Sequence, residues 1–412
     1  MSYDLGRQDL AIAELEKFQT AFPNSTRTTE VKEVLSHAYV DANNYNKAIE
    51  YIESLPRRGP TVDKAYQKAT YLKGTELFNM ERYTEAIAVF EKSLQFPIDP
   101  VMAGECHYWC AEAYSIAGKF EQAIDHYAAI VSPASGASAN VALDSRYGLA
   151  YAYYNVKQYD RALYNFKEFT NKAAKANSYL PDATLRLADC YYVGKSYPEA
   201  LATYRKVLAM NSPDKDYAHL QSGLILDIQG KYTEAASELG EVMKAPESTY
   251  KEEALFRLAQ LDFEQGKYAN AASGFSRVIS ASQTSAFLPY AYSKRAASYY
   301  NLKEYDKTAA DYIYVIEHYT THPAADGVLV SLQEALNLAG RSSEFDKYMS
   351  LVKSANPDAK GLESVQYEAA KNTYFNQDYQ NAIRRLQDYM VAYPGARESL
   401  RRSTTLRNRI TG

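Results

Sequence analysis

The 412-residue chain is poor in cysteine, with three, and in tryptophan, with one, and it has no run approaching the roughly 20 apolar residues that a membrane-spanning helix needs. Cys106, Cys110 and Cys190 make no disulfide framework. Neither sign of charge is in excess: 46 Lys plus Arg stand against 50 Asp plus Glu. Nonspecific nucleic-acid binding rests on clustered Lys and Arg, so no nucleic-acid partner is expected. The opening MSYDLGRQDL has neither a basic n-region nor an apolar h-region. Nothing alternates with period two over a useful length, so strands are not expected. One residue is abundant: 39 of the 54 aromatic residues are tyrosines.

A single phrase recurs along the chain: a small loop, an aromatic, two polar residues, an alanine, and an apolar residue four further on. It reads NNYNKAIEYI at Asn43, GKFEQAIDHY at Gly118, KSYPEALATY at Lys195 and GKYTEAASEL at Gly230. The aromatic position falls at Gln8 (its place taken by glutamine), Tyr45, Tyr83, Phe120, Tyr159, Tyr197, Tyr232, Tyr268, Tyr305, Phe345 and Tyr379, at intervals of 34 to 40 residues. A near-constant period over eleven units marks a repeat architecture.

Each unit reads as two helices. The anchor alanines are Ala48, Ala86, Ala123, Ala162, Ala200, Ala235, Ala271 and Ala382, with Thr308 in the equivalent place. Twelve residues before an anchor lies a second small residue: Ser36, Gly74, Ala111, Ala150, Ala188, Gly223, Ala259, Ala296 or Ala370. Small residues at fixed points on two antiparallel helices let the backbones approach closely where they cross. The turn between them often carries glycine, at Gly6, Gly118, Gly230 and Gly266, as a helix C-terminal cap favours. The aromatic after the turn can lay its ring over the corner while a tyrosine hydroxyl stays wet. Proline then stops many second helices, as at Pro23, Pro56, Pro97, Pro213 and Pro394.

This pattern resembles the tetratricopeptide repeat, and the resemblance covers nearly the whole chain. The clearest copy runs from Pro181 to Pro213, with Leu187, Ala188, Tyr191, Ala200, Tyr204 and Pro213 at or within one residue of the expected places. It departs from the family in lacking the usual first-helix tryptophan in most units and in a period averaging about 37 residues. The resemblance implies an all-α, right-handed superhelical solenoid of about eleven antiparallel helix pairs. The phrases FPNS at Phe22 and YPG at Tyr393, with tyrosine-rich helices, resemble the repeats of bacterial cell-envelope proteins.

The expected organisation is one solenoid over 1–412: a partial first repeat at 1–24, regular repeats at 25–322, a degenerate repeat at 323–360, a last regular repeat at 361–395 and a basic tail at 396–412. The first second-helix phrase begins at Gln8, which leaves about five residues for its partner helix, so the chain reads as a fragment. A fragment of a secreted parent would belong to the periplasm or cell envelope, and a complete chain to the cytoplasm.

No residues outside the repeat grammar assemble a catalytic site. Cys106, His107 and Cys110 put two thiols on one helix face, but two thiols do not make a tetrahedral zinc site, and repeat helices bury cysteine as a small hydrophobe. Gly194, Lys195 and Ser196 match the tail of a phosphate-binding loop, yet Asp189 stands where its first glycine should be. The six histidines lack recurrent acidic or nucleophilic neighbours. No catalytic residue, metal, cofactor or small-molecule substrate is expected, and the protein is not expected to be an enzyme.

In tetratricopeptide proteins the first helices line the concave surface. The resemblance therefore places there the residues three before, one after and four after each small residue: Tyr71, Phe78, Tyr108, Tyr147, Tyr151, Tyr154, Tyr192, Phe256, Phe263, Tyr300 and Tyr367. Tyrosine offers a large rigid contact surface plus a hydrogen bond, which suits binding surfaces. The expected function is a scaffold that binds a protein or peptide in a tyrosine-rich groove, in bacterial cell-envelope assembly. The competing class is a regulatory or targeting module of a larger enzyme or signalling protein.

Overall fold

The computed structural model describes residues 8–132, 135–245, 247–325, 327–356, 361–375 and 377–395. The basic tail expected at 396–412 lies outside the described residues. Two compact units divide the chain, 1–218 and 219–412. The first holds α1 (Gln8–Ala21), α2 (Thr28–Asp41), α3 (Tyr45–Glu53), α4 (Pro60–Asn79), α5 (Tyr83–Leu94), α6 (Pro100–Ile116), α7 (Phe120–Val131), α8 (Ala139–Asn155), α9 (Tyr159–Lys172), α10 (Leu180–Val193) and α11 (Tyr197–Leu208). The division falls within α12 (Lys215–Ile228). The second unit continues with α13 (Tyr232–Lys244), α14 (Lys251–Glu264), α15 (Tyr268–Ala281), α16 (Leu288–Asn301), α17 (Tyr305–Tyr319), α18 (Val328–Leu338), α19 (Phe345–Ala355), α20 (Leu362–Phe375) and α21 (Tyr379–Ala392). Short 3-10 turns at Pro323–Ala325 and Ser342–Glu344 flank α18, and no strand occurs among the described residues.

Within each unit consecutive helices pack together, and even-numbered first helices also touch one another, as α4 does α6 and α18 does α20. The pairs are antiparallel. Tyr154, Tyr151 and Tyr147, descending α8, meet Tyr159, Phe166 and Phe169, ascending α9. All eight anchor alanines are at most 1% exposed. At the crossings the backbones come close enough to exclude a side chain. A Cβ on Gly74 would sit 2.5 Å from the Phe90 ring, and one on Gly223 would sit 2.8 Å from Leu239. Large core groups fill the flanks, among them Phe90, Phe166, Phe169 and Phe275, all fully buried.

The turn inside each pair has one recipe. The residue that ends the first helix's capping turn adopts the left-handed conformation, so the next N–H can reach back to the helix's last free carbonyls. Gly230 has φ 71°, and the Lys231 N–H donates to the Leu226 carbonyl at 2.9 Å. Glycine fills this position at 118, 230, 266 and 340, but Asn43, Glu81, Lys157, Lys195, Lys303 and Gln377 hold it with a side chain at φ 57–64°. Those six turns retain strain that glycine would not have.

Candidate functional site

The aromatics of the first helices are placed by two rules. The ring four residues after the small residue meets the corner ring five residues later, edge to face. Phe78 meets Tyr83 at 5.2 Å, Tyr154 meets Tyr159 at 5.4 Å, and Tyr192 meets Tyr197 at 5.9 Å. In the second unit Phe263 meets Tyr268 at 5.4 Å, Tyr300 meets Tyr305 at 5.8 Å, and Tyr374 meets Tyr379 at 5.6 Å. Such pairs contribute about 0.5–1.5 kcal/mol beyond the area they bury. Each therefore clasps the turn on which the hairpin closes.

The second rule concerns hydroxyls. Tyr71 on α4 donates to Glu105 on α6, and Tyr147 on α8 donates to Asp182 on α10 at 2.8 Å. Tyr151 donates to the same Asp182 carboxylate. Tyr300 on α16 donates to Glu334 on α18 at 2.6 Å. These bonds tie one repeat's first helix to the next. Within repeats, Tyr127 donates to Glu112 and Tyr204 to Asp189, at 2.5 and 2.6 Å. Burial pushes the hydroxyls of Tyr71, Tyr127, Tyr147, Tyr151 and Tyr204 well above their usual pKa, so they remain protonated donors.

In the first unit the α8, α10, α11 and α12 side chains meet in one network. Asp189, 3% exposed, accepts from Tyr204, from Tyr217 at 3.1 Å and from Arg186 at 2.5 Å. Burial raises its pKa, while these three donors pull it back. The Arg186 Nε also reaches the Tyr151 hydroxyl at 3.3 Å. Tyr147 stacks on Tyr179 at 4.8 Å and joins this network through Asp182. Tyr108 lies edge-on to Trp109 at 5.2 Å. In the second unit Phe256 is buried and stacks on Phe287 at 5.2 Å, and Tyr367 meets Tyr389 at 5.5 Å. Beside Phe263, Lys294 stands over the ring at 5.5 Å. Asp227 on α12 is raised to about 6 by burial and then by the neighbouring Glu264 on α14.

The structure thus brings together Tyr147 and Tyr151 through one carboxylate and disperses the remaining rings, one or two per first helix. Phe256 is buried, whereas Tyr71, Phe78, Tyr108, Tyr154, Tyr192, Phe263, Tyr300 and Tyr367 stay half-buried. The carboxylates Glu105, Asp182 and Glu334 escaped sequence reasoning. Their signal is a spacing of 34 or 35 residues from Tyr71, Tyr147 and Tyr300, one repeat length. Among the described residues no group of three or more His, Cys, Asp or Glu side chains could hold a metal. His107 and His126 face each other with Nδ1 atoms 3.0 Å apart, and burial lowers His107 to about 4. Burial likewise pushes the Cys106 thiol up to about 12.

Sequence models described as tetratricopeptide repeat match residues 66–96, 147–215, 196–249 and 253–285. The chain carries tetratricopeptide repeats. Solved structures similar to it include a tetratricopeptide repeat protein from Parabacteroides merdae, at 15% identity and a TM-score of 0.42, covering 67% of this chain and 99% of that one. PilW, described as a widely conserved type IV pilus biogenesis factor, is 16% identical with a TM-score of 0.43, covering 54% of this chain and 98% of its own. YrrB, described as a tetratricopeptide protein with an unusual peptide-binding site, is 16% identical with a TM-score of 0.39, covering 54% and 97%. No curated protein matches the chain. Tetratricopeptide repeats imply a protein–protein interaction scaffold. Among the described residues no helix is long and apolar enough to cross a membrane.

Proposed function

We propose that the protein is a non-enzymatic scaffold whose tetratricopeptide first helices hold a protein or peptide partner through their half-buried aromatic rings. The observation that carries this is the division of labour in those rings. Hydroxyls such as those of Tyr71, Tyr147 and Tyr300 are spent on the neighbouring repeat, while ring surface on the first helices is left partly open. Rings fixed in this way lose little conformational freedom on binding. Half-buried carboxylates and their neighbours, such as Asp227 beside Glu264, add polar contacts in the second unit. A partner recognised by rings and interleaved acids is a polypeptide rather than a nucleic acid, which would need clustered cations. The tyrosine-rich repeats with FPNS and YPG phrases favour a role in bacterial cell-envelope assembly.

The test is site-specific photo-crosslinking in the native host. A photoreactive residue at Tyr192 or Phe263 should capture a discrete protein partner, and one at Glu199 or Lys206, on the second helix α11, should capture little. Equal capture from both faces, or none from the first helices, would refute the proposal.

A further inference from the structure

The first unit builds the same tyrosine–carboxylate frame twice, two repeats apart. In one copy Tyr71 on α4 donates to Glu105 on α6, and Tyr127 on α7 donates to Glu112 on α6 at 2.5 Å. In the other Tyr147 on α8 donates to Asp182 on α10, and Tyr204 on α11 donates to Asp189 on α10 at 2.6 Å. Glu105 and Glu112, like Asp182 and Asp189, are two helical turns apart and share one helix face. The frames differ in their cation. On α10 the Arg186 guanidinium lies 2.5 Å from Asp189 and 3.7 Å from Asp182, and 5.9 Å from the centre of the Tyr217 ring of α12. On α6 the place of Arg186 in the repeat is held by Trp109, and on α8 the place of Tyr217 is held by Asp144. Trp109 rests against Phe78 of α4, with ring centroids 4.8 Å apart. Burial raises the Glu112 carboxyl, and the Asp144 charge adds to that rise. Among the described residues no Lys, Arg or His forms an ion pair with Glu105, Glu112 or Asp144, and all three are half-buried.

We propose that the frame on α6 receives an arginine side chain of the bound polypeptide, in the place that Arg186 fills on α10. The proposal rests on the first helices being the partner face, and it names the chemistry they read there. The α10 frame selects the ligand independently of the acids on α6. Where equivalent carboxylates are held by equivalent tyrosine bonds, the group that this chain itself sets between them is a guanidinium. Charge agrees with it. Arg186 offsets the carboxylates of its own frame, whereas Glu105, Glu112 and Asp144 are offset by nothing, so an apolar or acidic side chain closing over them would bury uncompensated charge. The carboxylates of the described residues do not group into a metal site, which leaves an organic cation. Arginine suits the site better than lysine because its planar fork bonds a carboxylate and also lies flat on a ring, here that of Tyr108 or Trp109.

The test uses the full 412-residue chain, whose single tryptophan is Trp109, so tryptophan fluorescence reports on this frame. The probe is a blocked glycyl-arginyl-glycine peptide, compared with the same peptide carrying citrulline, which keeps the shape of arginine without its charge. The arginine peptide should change the emission saturably, and the citrulline peptide should not. Glu112→Gln, whose amide oxygen still accepts from Tyr127, and Asp144→Asn should each raise the dissociation constant at least about 10-fold, as loss of a charged hydrogen-bond partner does. Asp160→Asn, at an exposed position of α9, should leave it unchanged. No saturable change with the arginine peptide, equal binding of the citrulline peptide, or binding insensitive to both Glu112→Gln and Asp144→Asn would overturn the proposal. Capture of a partner at Tyr192 or Phe263 by a chain that does not bind the arginine peptide would leave the scaffold reading standing and sink this one alone.

Discussion

Replacing Asp189 with leucine should destabilise the first unit by about 3–5 kcal/mol, the range seen when one partner of a buried charge pair is removed. The figure follows from what the carboxylate serves. Its side chain is 4% exposed, and it accepts from Arg186, Tyr204 and Tyr217 at 2.5, 2.6 and 3.1 Å. Leucine fills a similar volume but accepts nothing. The Tyr204 hydroxyl, on a fully buried side chain, would then be orphaned, at about 1–3 kcal/mol. Arg186 can recover part of its loss through Asp182, 3.7 Å away. Tyr204→Phe removes one donor and leaves two, so it should cost only about 1–2 kcal/mol, and Tyr217→Phe less because its bond is longer. The double variant Asp189→Leu with Tyr204→Phe should cost less than the sum of the two, since both changes break the same Tyr204–Asp189 bond. The assay is amide hydrogen exchange across α10 and α11 together with urea unfolding, which separates local opening from the rest of the chain. A neutral or stabilising Asp189→Leu would refute the reasoning, because burial of the carboxylate would then outweigh its three donors.

Three further outcomes follow from the packing. Lys303→Gly and Glu81→Gly should each stabilise by about 0.5–1 kcal/mol, because both residues sit at positive φ, 62° and 60°; an unchanged urea midpoint would mean that the side chains repay the strain. Ala200→Leu should cost about 1–3 kcal/mol by overpacking a fully buried crossing, and a stability equal to wild type would mean that the helices can separate there without penalty. Because His107 is lowered from 6.5 to about 4 in the folded protein, the unfolded chain takes up a proton that the folded one refuses. Stability should therefore be full above pH 6.5 and fall as the pH drops toward 4. His107→Gln should flatten that part of the profile, and a slope unchanged by the variant would assign it to other groups.

The repeat grammar was legible because it depends on spacing along the chain. Small residues at the crossing, anchor alanines and corner aromatics recur at fixed separations, and the structure puts Ala200 and Ala188 in fully buried positions. What the chain order hides is where a side chain finds its partner. Tyr154 and Tyr192 occupy positions expected to face a groove, but their rings also clasp the corner tyrosines five residues on. Tyr151 stands at a position expected in the groove, and its hydroxyl is bonded to Asp182, 31 residues away. Periodicity assigns a residue to a face of its helix; it does not say which carboxylate one repeat later stands within 3 Å.

The account turns on whether the first helices form the binding face. The most direct measurement is hydrogen exchange on the full chain with and without its captured partner. Slowed exchange in first helices such as α8, α10, α14 and α16, with the second helices α9, α11, α15 and α17 unchanged, is the predicted result. Protection confined to the second helices would contradict it.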